Sequence, residues 1–126
     1  MTHIYVNIKG VNQGLLSDKC SKDEGHEDKI HATGLNYSTF NDDEMIINFK
    51  KLTDRASPLL YNAVMDNEEL QINIEVYSDN EMRKQIKINK AFITTMGINA
   101  KSRRGSEGEF EEISLECHDY NIVDFD

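Results

Sequence analysis

The feature that most constrains this chain is an alternation of apolar and polar residues that returns along most of its length. The clearest case is "LQINIEVYS", and the segments "HIYVNIKG" and "EMIINFKKL" follow the same period. A period of two is typical of a β-strand with one buried face. The sequence therefore predicts a mainly β fold, with these apolar residues pointing inward: Ile4, Val6, Ile8, Met45, Ile47, Phe49, Leu70, Ile72, Ile74 and Val76.

Strand character also appears in "DKIHATGLNYSTF", which Gly34 interrupts, in the long "RKQIKINKAFITTMGINA" and in "FEEISLECHDYNIVDF". Turn signals at 41–43 and 79–81 join neighbouring strands, which favours antiparallel hairpins. Residues 15–27 are polar and contain glycine, so they are predicted to form a loop. Six or seven strands in adjacent antiparallel pairs close on themselves or pack face to face. We predict one domain, residues 1–126, folded as a small antiparallel β-barrel.

One segment, "RASPLLYNAVMDNEEL", breaks this alternation and contains the single proline of the chain, Pro58. Its apolar residues stand one helical turn apart, which predicts a short α-helix at about residues 58–66. We expect Ser57 to be the N-cap, Pro58 the first helical residue and Asn67 a left-handed residue at the C-terminal end. A helix this short must pack on the sheet to be stable, so we expect it to cover one end of the barrel.

The charge balance restricts the possible partners. With 23 acidic and 14 basic residues, the chain has a formal net charge of −9. Such a field repels phosphate backbones and anionic membranes, so we expect no nucleic-acid partner and no direct membrane insertion. The N-terminal residues lack the apolar stretch of a signal peptide. The cysteines, Cys20 and Cys117, stand far apart and predict a loop residue and a buried residue rather than a disulfide.

Two groups of residues are candidates for chemistry. The segment "GHED" at 25–28 could bind a metal or transfer protons, but consecutive strand residues point to opposite faces, which favours a solvated strand entry. Three further histidines, His3, His31 and His118, lie on three predicted strands and could meet inside a barrel. Each falls on the more polar face of its strand, however. We therefore expect no metal site, and a metal hydrolase using His26 is the weakest alternative.

Other catalytic motifs are missing from the sequence. There is no GxSxG motif around a serine and no glycine-rich phosphate loop, because the glycines fall at predicted strand ends. From these observations we predict no enzymatic activity and no cofactor. The residues alone indicate an acidic β domain that serves as a binding or structural module.

Several segments, in order, resemble the haemolysin-coregulated protein (Hcp) family, the tube subunits of bacterial type VI secretion. "IYVNIKGVNQG" is similar to that family's opening strand and glycine turn, and "GHEDKI" to the entry into its second strand. "INFKKLTDRASPLLYNAVMDNEEL" resembles its third strand and single helix. "INIEVYSDN" and "ISLECHDYNI" match later strands, so the resemblance spans nearly the whole chain.

The resemblance implies a β-barrel with one helix that forms hexameric rings, and rings that stack into a hollow tube. It also implies effectors carried in the lumen, and a contractile sheath and a spike tip as partners. Such a protein would stay in the bacterial cytoplasm before assembly and leave through type VI secretion without a signal peptide. The sequence ends soon after the last predicted strand, so we expect no fused toxin domain.

At one point the chain departs from the family. Many members carry a long loop between their second and third strands that reaches a neighbouring subunit, whereas this chain has only "YSTFNDDE" at residues 37–44. We expect the short loop to affect the stacking of rings more than the formation of a ring.

A ring requires one face of a subunit to meet a different face of the next. Local pairing must then offset the repulsion between chains of charge −9. The basic turn at Lys101, Arg103 and Arg104 is our candidate for one side of this contact, although this turn could also simply be solvated. The acidic turn at Asp42, Asp43 and Glu44 is our candidate for the other side. The alternative to a tube subunit is a monomeric acidic β-barrel binding module, of the immunity-protein or small-ligand type.

Overall fold

The computed structural model describes residues 2–41, 43–99 and 110–125. These described residues contain one helix, α1 (Ser57–Met65), and are mainly β-strand, as predicted. The strands are β1 (Thr2–Gly10), β2 (Gly14–Leu15), β3 (Ile30–Ala32), β4 (Gly34–Thr39), β5 (Glu44–Leu52), β6 (Leu70–Ser78), β7 (Glu81–Asn99) and β8 (Phe110–Asp124).

The strands form one antiparallel sheet that rolls into a barrel-like shape. Its hydrogen-bonded order is β2–β1–β6–β7–β8–β5–β4. The short strand β3 pairs with β1. The next strand, β4, is separated from β3 by a single residue but pairs with β5. The segment from β3 to β4 therefore links the two ends of the sheet through Thr33, whose N–H donates to Lys50 O at 2.7 Å. Closure passes through this connection and not through one continuous ladder.

The predicted alternation accounts for the core. Along β5, buried and exposed residues alternate without exception. The inward residues of the other strands join the same cluster, and Cys117 is buried among them as predicted. Ile4 and Val76 are only half-buried because they lie near strand ends. Fully buried side chains that fill the barrel are Val6, Ile8, Met45, Ile47, Leu70, Ile74, Ile86, Ile113 and Leu115.

The start of α1 differs from the sequence prediction. The helix begins at Ser57, Ala56 takes the N-cap position, and no side-chain hydrogen bond caps it, so the prediction of Ser57 as N-cap is wrong. The Ser57 hydroxyl instead accepts from the N–H of Asp54 at 3.1 Å and donates to Glu111 Oε1 at 2.8 Å. The serine therefore joins the helix to β8 and not to its own first turn.

The end of α1 agrees with the prediction. Asn67 has φ +48°, the left-handed conformation that an asparagine tolerates after a helix. Its N–H donates to Val64 O at 3.3 Å, and the next N–H, of Glu68, donates to Ala63 O at 2.9 Å. This pair of hydrogen bonds is a Schellman motif. The helix packs against β7 and buries Leu60 and Ala63 in the common core.

Candidate functional site

The predicted interface residues can be located only in part. Asp43, in the connection from β4 to β5, and Glu44, the first residue of β5, are exposed, and we name residues 41–44 the acidic tip. Asn41 Oδ1 accepts the N–H groups of both, at 2.8 and 3.0 Å, which holds these three residues together. The other predicted interface residues, Asp42, Lys101, Arg103 and Arg104, lie outside the described residues.

Strand pairing locates the acidic tip and the two described residues, Asn99 and Phe110, between which the basic segment (residues 101–104) lies in the sequence. At one end of β5, Glu44 pairs with His118 of β8; at the other end, Leu52 pairs with Phe110. Phe110 also pairs with Asn99, so the chain between them, which contains the basic segment, starts and ends at this second end. The nine residues of β5 span about 27 Å. The acidic tip and the two strand ends that flank the basic segment are therefore at opposite ends of β5.

Large apolar side chains are exposed at separate places on this barrel. On α1, Tyr61 and Met65 stand one turn apart, and Met65 is 66% exposed. Beside the acidic tip, Phe40 is 63% exposed. Two different surfaces thus offer apolar contacts, and the remaining exposed apolar residues are Val11, Leu15, Ile46, Leu52, Ile98, Val123 and Phe125.

A dense group of rings and charges lies on the outer face of β1, β3 and β6, and we name it the histidine–tyrosine cluster. The Tyr5 ring lies parallel to His26, with centroids 4.0 Å apart and planes 5° apart. It also stacks on His31 at 5.0 Å and 24°. Tyr77 meets both Tyr5 and His26 edge-on. The members are His3, Tyr5, His26, His31 and Tyr77, together with Asp23, Lys29 and Glu75.

Polar contacts connect the rings of the cluster. The Tyr5 hydroxyl donates to Asp23 Oδ2 at 2.7 Å, and the same oxygen lies 3.5 Å from His31 Nδ1. On its other side, His31 Nε2 lies 3.3 Å from His3 Nδ1. Asp23 comes from the loop before β3, whereas Tyr5 and His3 belong to β1. These contacts therefore hold the loop against the outside of the barrel.

A second set of contacts attaches the end of the same loop. Lys29 Nζ donates to Glu75 Oε1 at 2.8 Å and to His26 Nδ1 at 3.1 Å. Glu75 is buried on β6, so Lys29 offsets a charge that would otherwise be unfavourable there. His26 is half-buried by this loop, in contrast to the predicted solvated strand entry, because β3 begins only at Ile30.

The pKa shifts in the cluster follow from this geometry. Burial, the hydrogen bond to Asp23 and the Asp23 charge together raise the pKa of Tyr5 to about 12. The hydrogen bond from Tyr5, with smaller contributions from the nearby histidines, holds the pKa of Asp23 below its ordinary value despite some desolvation. Near neutral pH the pair is therefore a neutral phenol that donates to a carboxylate. This protonation state suits a structural hydrogen bond between the two side chains.

A buried ionic network lies at the start of α1, and we name it the lysine–glutamate network. Lys51, with 0% exposure, places its Nζ 2.7 Å from Glu111 Oε1 and 2.8 Å from Asp54 Oδ1. The Ser57 hydroxyl contacts the same Nζ at 3.0 Å, and Thr53 donates to Glu111 Oε2 at 3.0 Å. The network joins β5, β8 and the helix, and each of its members has a hydrogen-bond or ion-pair partner within the chain.

Glu68 is a third buried carboxylate, with 3% exposure, and neutral groups of Asn12 and Gln13 donate hydrogen bonds to it. Its Oε2 accepts the N–H groups of Asn12 and Gln13 at 2.9 and 2.8 Å, and its Oε1 accepts from Gln13 Nε2 at 2.8 Å. Gln13 Nε2 also donates to Leu59 O at 3.0 Å, so the turn after β1 is tied to both ends of α1. At Gly10 a Cβ would collide with this carboxylate.

Three features of the described residues concern metal ligands, thiols and membrane-spanning helices. Among residues 2–41, 43–99 and 110–125, no three His, Cys, Asp or Glu side chains converge as metal ligands. Burial, with smaller electrostatic effects, raises the pKa of the Cys20 thiol to about 11 and that of Cys117 to about 12, so neither is an activated thiolate. Within the same ranges, no helix has the length and apolar character needed to cross a membrane.

Comparison with known proteins decides the family. Residues 5–122 match the family model described as "Type VI secretion system effector, Hcp". The chain belongs to the Hcp family. This match covers six complete strands, α1 and most of β1 and β8, and it confirms the family to which the sequence motifs pointed.

Individual relatives of this Hcp-family chain agree in fold. The secreted protein Hcp3 from Pseudomonas aeruginosa is 21% identical, with 100% of this chain and 99% of that chain covered and a TM-score of 0.76. A chain in the sheath-tube complex of an extracellular contractile injection system, PVC, is 12% identical, with 95% and 88% covered and a TM-score of 0.60. The uncharacterized protein YhhZ from Escherichia coli (strain K12) is 30% identical over 89 residues. That match covers 61% of this Hcp-family chain and 23% of YhhZ, so the chain spans about a quarter of that relative's length.

For this Hcp-family chain, sequence reasoning located some candidate residues and missed others. His3 and His31 do meet, as considered, but outside the barrel, and His118 stays apart beside Glu116. The lysine–glutamate network was missed, although Lys51 follows the inward positions of β5 and Glu111 precedes those of β8 in the same period of two. A charged residue at an inward position was the signal that could have found it.

Proposed function

We propose that this Hcp-family chain is a tube subunit of a type VI secretion system. It assembles into hexameric rings, the rings stack into the inner tube, and the tube carries effectors in its lumen. Its other partners are the contractile sheath and the spike tip. It stays in the bacterial cytoplasm before assembly, leaves without a signal peptide and catalyses no reaction. The observation that carries the proposal is the family match over residues 5–122, almost the whole barrel.

The interior of the barrel favours this proposal over a small-ligand carrier. A carrier of this kind encloses a cavity lined by inward side chains. Here the inward positions hold fully buried residues such as Phe49, Ile74 and Leu115, which pack into one cluster. Grooves among the described residues are lined in part by exposed lysines, namely Lys9, Lys87 and Lys90. The chain therefore presents its outer surfaces to partners, as a structural subunit does.

The distribution of charge supports contacts between copies. The acidic tip and the strand ends that flank the basic segment lie at opposite ends of β5, about 27 Å apart. With that separation, two copies arranged head to tail would bring the acidic tip of one copy to the strand ends that flank the basic segment of the next. Such a contact is heterologous, which is the type that rings and stacks of rings need. We therefore propose Asp43, Glu44 and the flanking Asp42 on one side, and Lys101, Arg103 and Arg104 on the other.

Light scattering after size-exclusion chromatography tests the proposal. We expect the untagged chain to elute at six times its monomer mass of 14.5 kDa. Reversing two charges of the basic segment, Arg103→Glu with Arg104→Glu, should shift the protein to smaller species, because acidic groups would then face the acidic tip. A strict monomer at every concentration would contradict the tube-subunit proposal.

The matched control is Lys9→Glu with Lys87→Glu, which changes the net charge equally on exposed positions of β1 and β7. We expect this variant to keep the mass of the unchanged chain. If both double variants lost the hexamer equally, the effect would be due to net charge and not to the basic segment. An unchanged hexamer after the arginine reversals would remove that segment from the interface and leave the ring intact.

A further inference from the structure

The histidine–tyrosine cluster contains two imidazole nitrogens that are close enough to bind the same ion. His31 of β3 lies opposite Tyr5 of β1, so His3 of β1 is its diagonal neighbour on the outer face. The distance from His3 Nδ1 to His31 Nε2 is 3.3 Å. Both residues belong to hydrogen-bonded strands, which fixes their backbones relative to each other.

This distance fits two ligands of one tetrahedral zinc ion. With Zn–N bonds of about 2.0–2.1 Å, the edge between two nitrogens of a tetrahedron is about 3.3–3.4 Å. A single proton between the two rings accounts for the same separation in the metal-free chain, since 3.3 Å is also within hydrogen-bond range. Exchanging that proton contact for a cation requires that His3 carry its proton on Nε2 and that both rings turn so that their lone pairs converge on the ion.

The surroundings of His31 have the features of an oriented metal ligand. Its Nδ1 lies 3.5 Å from Asp23 Oδ2, the position from which a carboxylate fixes the tautomer of a metal-binding histidine. Asp23 is itself held by the Tyr5 hydroxyl at 2.7 Å, and the Tyr5 ring stacks on His31. With its proton on Nδ1, toward Asp23, His31 would present the lone pair of Nε2 to a metal ion.

Solvent reaches this place from the outside. His3 and Asp23 line an open groove of about 420 Å³, so water can complete the coordination of an ion held by two nitrogens. Imidazole nitrogen suits zinc and similar transition metals, whereas Mg²⁺ and Ca²⁺ prefer oxygen ligands. Glu24 on the rim of the groove and nearby Asp23 make the potential favourable for a cation.

We propose that His3 and His31 form a two-histidine site for a zinc-like divalent cation on the outside of the barrel. Asp23 and Tyr5 position His31, and two water molecules complete the coordination. Bound metal links β1 directly to β3 and so reinforces the attachment of the loop that precedes β3. The proposal concerns a single chain and does not depend on the tube function.

Titration of the untagged, metal-free chain with Zn²⁺ in a calorimeter tests this site. We expect one ion per chain and a rise in melting temperature, because a ligand that binds the folded state stabilises it. His31→Gln and His3→Gln should each abolish that binding. Asp23→Asn should weaken it by about 10–100-fold, the usual effect of losing a carboxylate behind a metal-binding histidine. Mg²⁺ should not bind.

The matched control is His118→Gln, since His118 also sits beside a carboxylate, with Nε2 3.1 Å from Glu116 Oε1, but on β8. We expect this variant to bind zinc like the unchanged chain. The requirement for His31 separates the site from binding by His3 and neighbouring N-terminal groups alone. Circular dichroism verifies that each variant is folded. Absence of zinc binding in the unchanged chain, or full binding in folded His31→Gln, would overturn the proposal.

Discussion

The lysine–glutamate network and the histidine–tyrosine cluster perform the same task in opposite environments. Each attaches a segment without strand structure to the barrel: the first attaches the start of α1, the second the loop before β3. The network is closed to solvent, with Lys51 at 0% and Glu111 at 2% exposure. In the cluster, His31 and Asp23 have side chains that are nearly half exposed.

This difference determines what each contact is worth. In the network, loss of one partner leaves a charge with no access to water, which is strongly unfavourable. Around His31 and Asp23 of the cluster, water replaces a lost partner, so single contacts there contribute less. Burial, and not the number of contacts, should therefore rank the effects of substitution in the two regions.

The largest expected effect comes from Lys51→Met. Removing the ammonium leaves Glu111 buried without its cation, and we expect a loss of about 3–5 kcal/mol in the free energy of unfolding. Urea denaturation measures it. The control is Lys50→Met on the exposed face of the same strand, where the ion pair with Glu112 at 3.5 Å should contribute only about 0–1 kcal/mol. Similar losses in both variants would break the comparison.

Glu68→Gln tests whether a buried carboxylate without an ion pair contributes to the free energy of unfolding. The amide cannot accept all the hydrogen bonds that Asn12 and Gln13 donate, so we expect a loss of about 1–3 kcal/mol at neutral pH. A loss below that of Lys51→Met but above that of an exposed contact would sharpen the comparison. A value as large as that of Lys51→Met would indicate that the cation is unimportant.

The effect of Glu68→Gln should also depend on pH. Burial raises the pKa of Glu68, but hydrogen bonds from the N–H groups of Gln13 and Asn12 and the Gln13 side chain outweigh it, so the pKa lies below 4.5. A carboxylate with a lowered folded-state pKa stabilises the fold above its unfolded pKa and loses that contribution as pH falls through the folded value. We expect the stability gap between the two proteins to shrink below pH 4.5. A constant gap would contradict this assignment.

The smallest expected effect is that of Tyr5→Phe. It removes the hydroxyl that donates to Asp23 but keeps the stacked ring, so we expect a loss of about 0.5–1.5 kcal/mol. Limited proteolysis should show faster cleavage in the loop before β3. Tyr61→Phe, on the exposed side of α1, serves as the control and should change neither quantity. Unaltered cleavage in Tyr5→Phe would mean that the ring stack alone holds the loop.

Much of the fold could be predicted because it depends on local patterns. The period of two located the inward faces of β1, β5 and β6, and the one-turn spacing located α1 to within a residue. Asn67 was predictable because few residues other than glycine tolerate a left-handed conformation after a helix. Ser57 was predicted incorrectly because the competing partner, Glu111, lies 54 residues away.

The candidate sites depend on contacts that no local pattern encodes. Tyr5 and His3 could be placed on the outer face of β1, but the path that brings Asp23 and His26 onto them is set by the tertiary fold. The lysine–glutamate network falls between these cases. Extending the alternation of β5 and β8 would have placed Lys51 and Glu111 inward, but their pairing across the two strands needed the structure.

The pairing of β1 with β6 has a consequence for synthesis on the ribosome. Gly10 pairs with Leu70 and Thr2 with Ser78, so the first strand to emerge waits for about 70 further residues before its main partner exists. At bacterial elongation rates this delay is about 3–15 s. During that time the alternating apolar face of β1 is unprotected and can pair with the wrong edge. The net charge of −9 opposes such pairing between copies of the chain until the sixth strand arrives.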